Sequence, residues 1–425
     1  MHGIIAETRE LQVVETLESN VRSYSRIFPA TFNRARGSIM LTDRGRKIID
    51  FFAGAGALNY GHNNHAIKAA IIEYLDSDAV VHALDMSTTA KLEFLKTFSS
   101  VVLQERNLRY RAQFTGPTGA NAIEAALKLA RKVTRRKNII SFTRGYHGMS
   151  LGAMAATANH FYRAASGVSL SGATFVPFDG YLGPDFDTAD YLRSILLDKS
   201  SGVESPAAIL VETVQGEGGI NVASKEWLRS IQAIARDAGA LFVVDDIQMG
   251  CGRAGEFFSF EFAELSPDII VMSKSLSGYG LPLSMVLIKE GLDVWEPGEH
   301  TGTFRANNLA LVSATAAINT YWRSQTFSDG VKHMGNLIRS RLDAIASEYG
   351  GGFTVRGRGM VWGFDCHSAE IAQATARTAF NEGLMIERCG PDDQVVKFMP
   401  ALTIDQGLLY QGLDIFERSL AASLK

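Results

Sequence analysis

Seven short apolar runs recur through the middle of the chain: RAQFT near 113, NIISF at 138–142, ATFVP at 173–177, AAILVE at 207–212, ALFVVD at 240–245, DIIVMS at 268–273 and LSMVLI at 283–288. Each is short, bounded by polar or turn residues and rich in β-branched and aromatic side chains, so each reads as a strand. Between several of them lie stretches such as ANAIEAALKLARKVTRR (120–136) and SKEWLRSIQAIARDAG (224–239), whose apolar residues return every three or four positions. That is the period of an amphipathic helix. Strand and helix alternating in this way predict an α/β fold: a large domain whose mostly parallel, seven-stranded sheet lies between helices. In such sheets the ligand binds outside the carboxyl ends of the strands.

The flanking segments read differently. Residues 1–65 carry short strand-like pieces (GSIMLTDRGRKIIDF) and a glycine-rich loop, and from 327 a helix leads to a glycine pair, strand-like FTVRGRGMVWGFDC and further helix and strand. We therefore expect the large domain over 66–326 and a smaller α+β domain made from both chain ends, 1–65 and 327–425. With a net charge of -3 and 20% charged residues, no basic stripe offers itself to nucleic acid or to an anionic membrane. A small molecule is the expected partner. Three cysteines in no paired framework, and an amino terminus that turns acidic at once, point to the cytoplasm. No metal site is expected.

Chemistry-bearing residues gather at the predicted strand ends. Asp245 and Asp246 close ALFVVDD; an acid there often caps the next helix or pairs with an arginine, but a carboxylate so held can also pair with a cationic ring nitrogen, with Gln248 beside it. Asp246 reads as structural. Lys274 follows DIIVMS and precedes the flexible SLSGYGLPLS; a lysine after a strand is usually solvated, whereas a buried one of lowered pKa suits Schiff-base chemistry. GPTGANAIEAALKLA runs a glycine loop into a helix whose first free amides, from about Thr118 through Asn121, suit a phosphate; the plain alternative is a helix start with Asn121 and Glu124 as a capping box. Tyr146 and His147 follow another strand, as core, as a base or as a ring to stack on a flat cofactor. Glu212 and Glu217 in VETVQGEGG, with Arg356 and Arg358 in VRGRGM, could form an interdomain salt bridge or hold a substrate carboxylate. Together these features describe a site for pyridoxal 5′-phosphate, an electron sink whose ring nitrogen must stay protonated.

The order of motifs, VETVQGEGG, VVDDIQMGCGRAG, MSKSL, GTF and RGRGM, resembles the class III (omega-amino-acid) aminotransferases of fold type I over nearly the whole chain. YSRIFP, AGAGALNYGHNN, FDGYLG, SKSLSGYGLP and GTFRANNLA resemble the branch of that family that forms diaminobutyrate and opens ectoine synthesis. The resemblance implies Lys274 as the Schiff-base lysine, Asp245 as partner of the ring nitrogen, Gln248 near the ring hydroxyl and Tyr146 stacked on the ring. It implies phosphate contacts from Gly119 and Ala120 with Thr118 beside them, and from Thr303 of a second subunit, since the family works as homodimers, in places tetramers. It assigns Arg356 to the glutamate carboxylate and Glu217 to the acid that neutralises that arginine for the other amino substrate. Tyr60, Arg305 and Asn307 are expected to line the pocket that separates diaminobutyrate from ornithine, 4-aminobutyrate or a specialised amine. Two departures stand out. Many members carry Ser-Gly-Ala-Glu at the phosphate loop and Asp-Glu at the strand end, where this chain has Thr118-Gly119-Ala120-Asn121 and Asp245-Asp246. The amino-terminal dozen residues fall outside the resemblance and are expected to be disordered.

Overall fold

The computed structural model describes residues 4–350 and 352–425. Each of the seven apolar runs forms a strand: β1 (Tyr110–Phe114), β2 (Ile139–Phe142), β3 (Ala173–Val176), β4 (Ala208–Val211), β5 (Leu241–Asp245), β6 (Ile269–Met272) and β7 (Met285–Lys289). They make one sheet in the order β1-β7-β6-β5-β4-β2-β3. β7 runs antiparallel to both neighbours, and the pairs among β2 to β6 are parallel.

Every residue of β4, β5 and β6 is buried. The two-residue period of a strand divides them between two cores. Ile209, Val211, Phe242, Val244, Ile270 and Met272 pack on the side of helix α2 (Lys225–Asp237), which buries Trp227, Leu228, Ile231 and Ile234. Ala208, Leu210, Leu241, Val243, Ile269 and Val271 pack on the side of helix α1 (Gly119–Thr134), which buries Ala122, Ile123, Ala126, Leu127 and Ala130. Full burial of each large aliphatic contributes roughly 1.5–3 kcal/mol. With both faces covered in this way, the exposed edge left for a ligand is the row of strand ends.

After helix α3 (Thr326–Tyr349) the chain forms a four-stranded antiparallel sheet in the order β8-β9-β11-β10, from β8 (Thr354–Arg358), β9 (Val361–Asp365), β10 (Glu387–Cys389) and β11 (Val395–Phe398). Near the other end of the chain, strand Lys47–Asp50 pairs in parallel with Leu384–Met385, so the two chain ends share a sheet. Phe51 packs with Phe364, Phe398 and Phe416 in the core beneath it. Part of the amino-terminal dozen, expected to be disordered, is helical over Ile4–Leu17; Met1–Gly3, like Gly351 of the glycine pair, lie outside the described residues. Among the described residues no helix is long and apolar enough to cross a membrane.

Candidate active site

The two acids at the end of β5 point to opposite faces and do different things. Asp245 is 6% exposed; its Oδ2 lies 2.8 Å from His147 Nδ1 and its Oδ1 accepts the amide of Ile247 at 3.1 Å. Nδ1 is therefore the nitrogen of the His147 ring turned to this carboxyl group. His147 is itself held by its own amide, which donates to Thr157 Oγ1 at 3.0 Å. Asp246 instead takes the amide of Ser259 on both oxygens at 3.2 Å, and burial pushes its carboxyl pKa up to about 7. Asp246 is structural, as its sequence context suggested.

Lys274 follows β6 with φ of +50°, a left-handed conformation uncommon for a lysine. The turn it opens is pinned from the other end of the chain: Ser275 Oγ donates to Gly56 O at 2.7 Å and accepts the amide of Asn59 at 3.1 Å. Strain of this kind persists only where the surroundings over-determine it, and it concentrates at functional sites. Burial lowers the Lys274 pKa, while Glu217, and beyond it Asp245, act in the opposite sense.

Between these groups lies the amino end of α1. Thr118 caps it, its Oγ1 accepting the amide of Asn121 at 3.2 Å, and Asn121 Oδ1 accepts the amide of Gly116 at 3.0 Å, closing the loop. The amides of Gly119 and Ala120 open the helix and have no earlier helical carbonyl to bond, which leaves the positive end of the helix dipole free. A Cβ on Gly119 would stand 2.9 Å from the Ile247 side chain, so glycine lets this loop sit against the segment that follows Asp245 without that side chain having to shift. The capping-box alternative does not hold: Glu124 instead takes Ser150 Oγ and the amide of Gly152, both at 2.9 Å.

Tyr146, half-buried, donates its amide to Glu212 Oε2 at 3.0 Å and meets Tyr162 edge-on at 5.7 Å between ring centres. Its phenol pKa rises to about 12, by burial first and then by Glu217; burial and Asp245 likewise hold Glu212 well above the usual carboxylate range. Thr303 is exposed, Arg305 pairs with Asp85 at 2.8 Å, and Asn307 caps the next helix through the amide of Ala310.

The substrate side departs most from the sequence-based expectation. Arg356 does not pair with Glu217: its Nη1 meets Asp365 Oδ2 at 3.0 Å and its Nε donates to Gly219 O at 2.8 Å. Arg358 pairs with Glu256 and donates to Ser259 O at 2.9 Å. The cation facing Glu217 is Lys397 on β11, 0% exposed, with its Nζ 2.9 Å from Glu217 Oε1 and 2.8 Å from Glu387 Oε2. Tyr24 OH donates to Glu387 Oε1 at 2.8 Å. Burial alone would lower the Lys397 pKa, but the two carboxylates outweigh it and raise it; for Glu217 burial is likewise outweighed, by Lys397 and Lys274, and its pKa falls.

Gln248, expected beside a ring hydroxyl, gives its amide hydrogens to Glu217 Oε1 at 3.1 Å and Ala55 O at 3.2 Å. Gly216 makes room for it, since a Cβ there would stand 1.7 Å from Gln248 Oε1. Tyr60 is not a pocket residue: 3% exposed, it stacks on Tyr321 at 4.8 Å and accepts Trp322 Nε1 at 2.7 Å within the aromatic core. The structure thus brings Asp245, Lys274, Tyr146, Gln248, Glu217 and the Thr118–Ala120 loop together near the strand ends and leaves out Tyr60 and Arg358. Sequence reasoning missed Lys397, Glu387 and Tyr24. One signal was available, a lysine inside the otherwise apolar run VVKFM, where only a paired charge is tolerated.

Comparison with known proteins bears on this geometry. Residues 21–420 match the class-III aminotransferase family. The chain is 54% identical over 420 residues to an uncharacterized aminotransferase of Sinorhizobium fredii, covering 99% of this chain and 94% of that one. It is 55% identical over 417 residues to the diaminobutyrate–2-oxoglutarate transaminase of Bordetella parapertussis, covering 98% and 96%, and 50% identical over 414 residues to that of Halomonas elongata, covering 96% and 98%. The ornithine aminotransferase of Toxoplasma gondii superposes with a TM-score of 0.85 at 23% identity, over 98% of this chain and 95% of that one, a likeness of fold. Matched along nearly its whole length, the chain belongs to the class III aminotransferases.

Proposed function

We propose that this enzyme exchanges an amino group between L-glutamate and L-aspartate 4-semialdehyde, giving L-2,4-diaminobutyrate and 2-oxoglutarate. Relatives that share half or more of its residues over nearly the whole chain carry that activity in their names. The observation that carries the reading is Lys397, buried in the crevice and shared by two acids of unequal freedom: the Glu217 side chain is 26% exposed and that of Glu387 only 7%. A reaction with a diacid and a diamine needs a cation that can be offered to one and withheld from the other.

Pyridoxal 5′-phosphate is the cofactor, and the residues present fit it. Lys274 offers an amine of lowered pKa, Asp245 a buried acceptor, and Gly119 and Ala120 free amides at a helix start. When bound, the cofactor supplies an aldehyde that receives the amino group and a ring that draws electrons from the substrate carbon. Asp245, oriented by His147, would hold the proton on the ring nitrogen, and the flat ring of Tyr146 would cover one face. The Lys274 amine would take the proton from the amine-bearing carbon, a role suited to a lysine whose pKa burial lowers.

With glutamate, Glu217 would leave Lys397 free to hold the distal carboxylate; with diaminobutyrate, Glu217 would stay in place. Glu217 is suited to be the mobile acid because it is the more exposed of the two and also answers to Gln248. The working form is a homodimer, or a tetramer built from two, in the cytoplasm. Thr303 adjoins exposed Phe304 and its carbonyl meets His82 Nε2 at 2.8 Å, in a segment that also exposes Val80 and Met86, and apolar exposure of this kind favours a partner, so that Thr303 of the partner subunit would complete the phosphate site.

The test is the visible absorbance of the purified yellow protein before and after L-2,4-diaminobutyrate, ornithine and 4-aminobutyrate in separate cuvettes. Bleaching by diaminobutyrate at the lowest concentration is expected. A protein that ignores diaminobutyrate and bleaches with another amine keeps the family and overturns the substrate.

A further inference from the structure

We infer that Glu387 is a specificity-determining residue, whose carboxylate receives the α-ammonium of the amino donor at the Lys397 end of the crevice. The inference rests on the substrate reading above and concerns what that reading leaves open: how the far end of a diamine is told from a simple terminal amine.

Three observations converge on Glu387. First, it is the more enclosed of the two acids. It is 6% exposed at the start of β10 and takes the Tyr24 hydroxyl on Oε1 at 2.8 Å. Second, its other oxygen has Lys397 alone. Oε2 lies 2.8 Å from Lys397 Nζ, and no other donor reaches it among the described residues. A carboxylate oxygen has room for a second donor, so a ligand that brings one gains from it. Third, the charges do not balance. Lys397 is one ammonium between two carboxylates, so when both acids are ionised the cluster has room for one more positive charge.

Diaminobutyrate supplies that charge. If its terminal amine reacts near Lys274, its α-ammonium travels to the other end of the molecule. 4-Aminobutyrate has the same chain length and reacting amine and lacks this ammonium, so it leaves Glu387 unmatched. A site built to hydrogen-bond a substrate group rejects the analogue without it far more strongly than a merely apolar pocket would. The distal carboxylate of a diacid meets the reverse situation: Glu387 shares the cation that the diacid needs and repels it. Neutralising Glu387 should therefore move the two kinds of ligand in opposite directions, which loss of a purely structural partner of Lys397 would not do.

The experiment compares wild-type holoenzyme with Glu387→Gln, and with Tyr24→Phe, whose ring is largely at the surface. Two readouts are taken: kcat/KM for diaminobutyrate against 4-aminobutyrate, and the calorimetric Kd of glutarate, a diacid with no amine to turn over. In Glu387→Gln the diaminobutyrate to 4-aminobutyrate ratio should fall by roughly tenfold or more while glutarate binds more tightly. Tyr24→Phe should shift the ratio the same way by less, and it decides the matter if Glu387→Gln does not fold. An unchanged ratio, or equal losses for both amines with weaker glutarate binding, overturns the inference. A wild-type enzyme that does not act on diaminobutyrate overturns the substrate reading beneath it instead.

Discussion

Asp245 and Lys397 are both buried charges in one crevice, and they are built in contrasting ways. Asp245 ends a parallel strand, and His147, which bonds it, follows β2, two places along the same sheet with β4 between; the pair lies wholly within the large domain. Lys397 lies inside an antiparallel strand of the small domain and is shared by Glu217, from a loop after β4, and Glu387, from β10. The first arrangement has one satisfied geometry. The second has more acid than base, with one acid enclosed and held by Tyr24 and the other more exposed and held by Lys397 and Gln248. The contrast separates two tasks: a cofactor that never changes needs a rigid partner, whereas two alternating substrates need an adjustable one.

Breaking the rigid side should have the largest effect. Lys274→Ala removes the amine proposed to move the proton, and single-turnover rates should drop by at least ~10³-fold for both half-reactions. Asp245→Asn keeps the shape and loses the charge, with an expected fall of roughly 10²–10³ in kcat, again for both substrates alike. Either variant acting on one substrate alone would contradict the division of labour.

The adjustable side should respond unevenly. Glu217→Ala should slow the diaminobutyrate half-reaction more than the glutamate one, by roughly tenfold in their ratio, because the cation is then exposed to a substrate that does not need it. Equal losses would remove Glu217 from the switching role.

The smallest effect concerns Asp246, the structural neighbour of Asp245. Its folded pKa of about 7 lies above the unfolded value of roughly 3.9, so the folded protein keeps a proton that the unfolded chain has released. Its contribution to stability therefore declines as pH rises from about 4 to about 7. Asp246→Asn should make the urea midpoint less dependent on pH across that window; a variant with the wild-type slope would remove Asp246 from that account.

The same contrast explains what could be read from the sequence. The central strands β4, β5 and β6 announced themselves because parallel strands buried on both faces are continuously apolar, and the rule that ligands bind at strand ends then picked out Asp245, Lys274 and the Thr118–Ala120 loop. Each of these is a contiguous motif whose local geometry is set within a few residues. The Lys397 cluster joins Glu387 and Lys397, paired across two neighbouring strands, to Tyr24 and Glu217, and no local period or spacing links these last two to that strand pair. Arginine is the commoner holder of a carboxylate, and VRGRGM offered two. Both are taken: Arg356 by Asp365 and Arg358 by Glu256. Tyr60 misled for a similar reason, since a tyrosine in a glycine-rich loop reads as accessible until Trp322 and Tyr321 are seen to enclose it.

The central claim is that Lys397, and not Arg356, is the carboxylate-holding cation. It is tested most directly by rapid-mixing measurement of the glutamate half-reaction in Lys397→Gln, Lys397→Arg and Arg356→Gln holoenzymes. Removing a buried, paired lysine costs about 3–5 kcal/mol of stability, so the arginine variant serves as the rescue that retains the charge. The account predicts that Lys397→Gln raises the apparent Kd for glutamate by roughly tenfold or more, that Lys397→Arg recovers most of it, and that Arg356→Gln leaves it near wild type. A large loss in Arg356→Gln with glutamate binding intact in Lys397→Gln would contradict it and return the carboxylate site to Arg356.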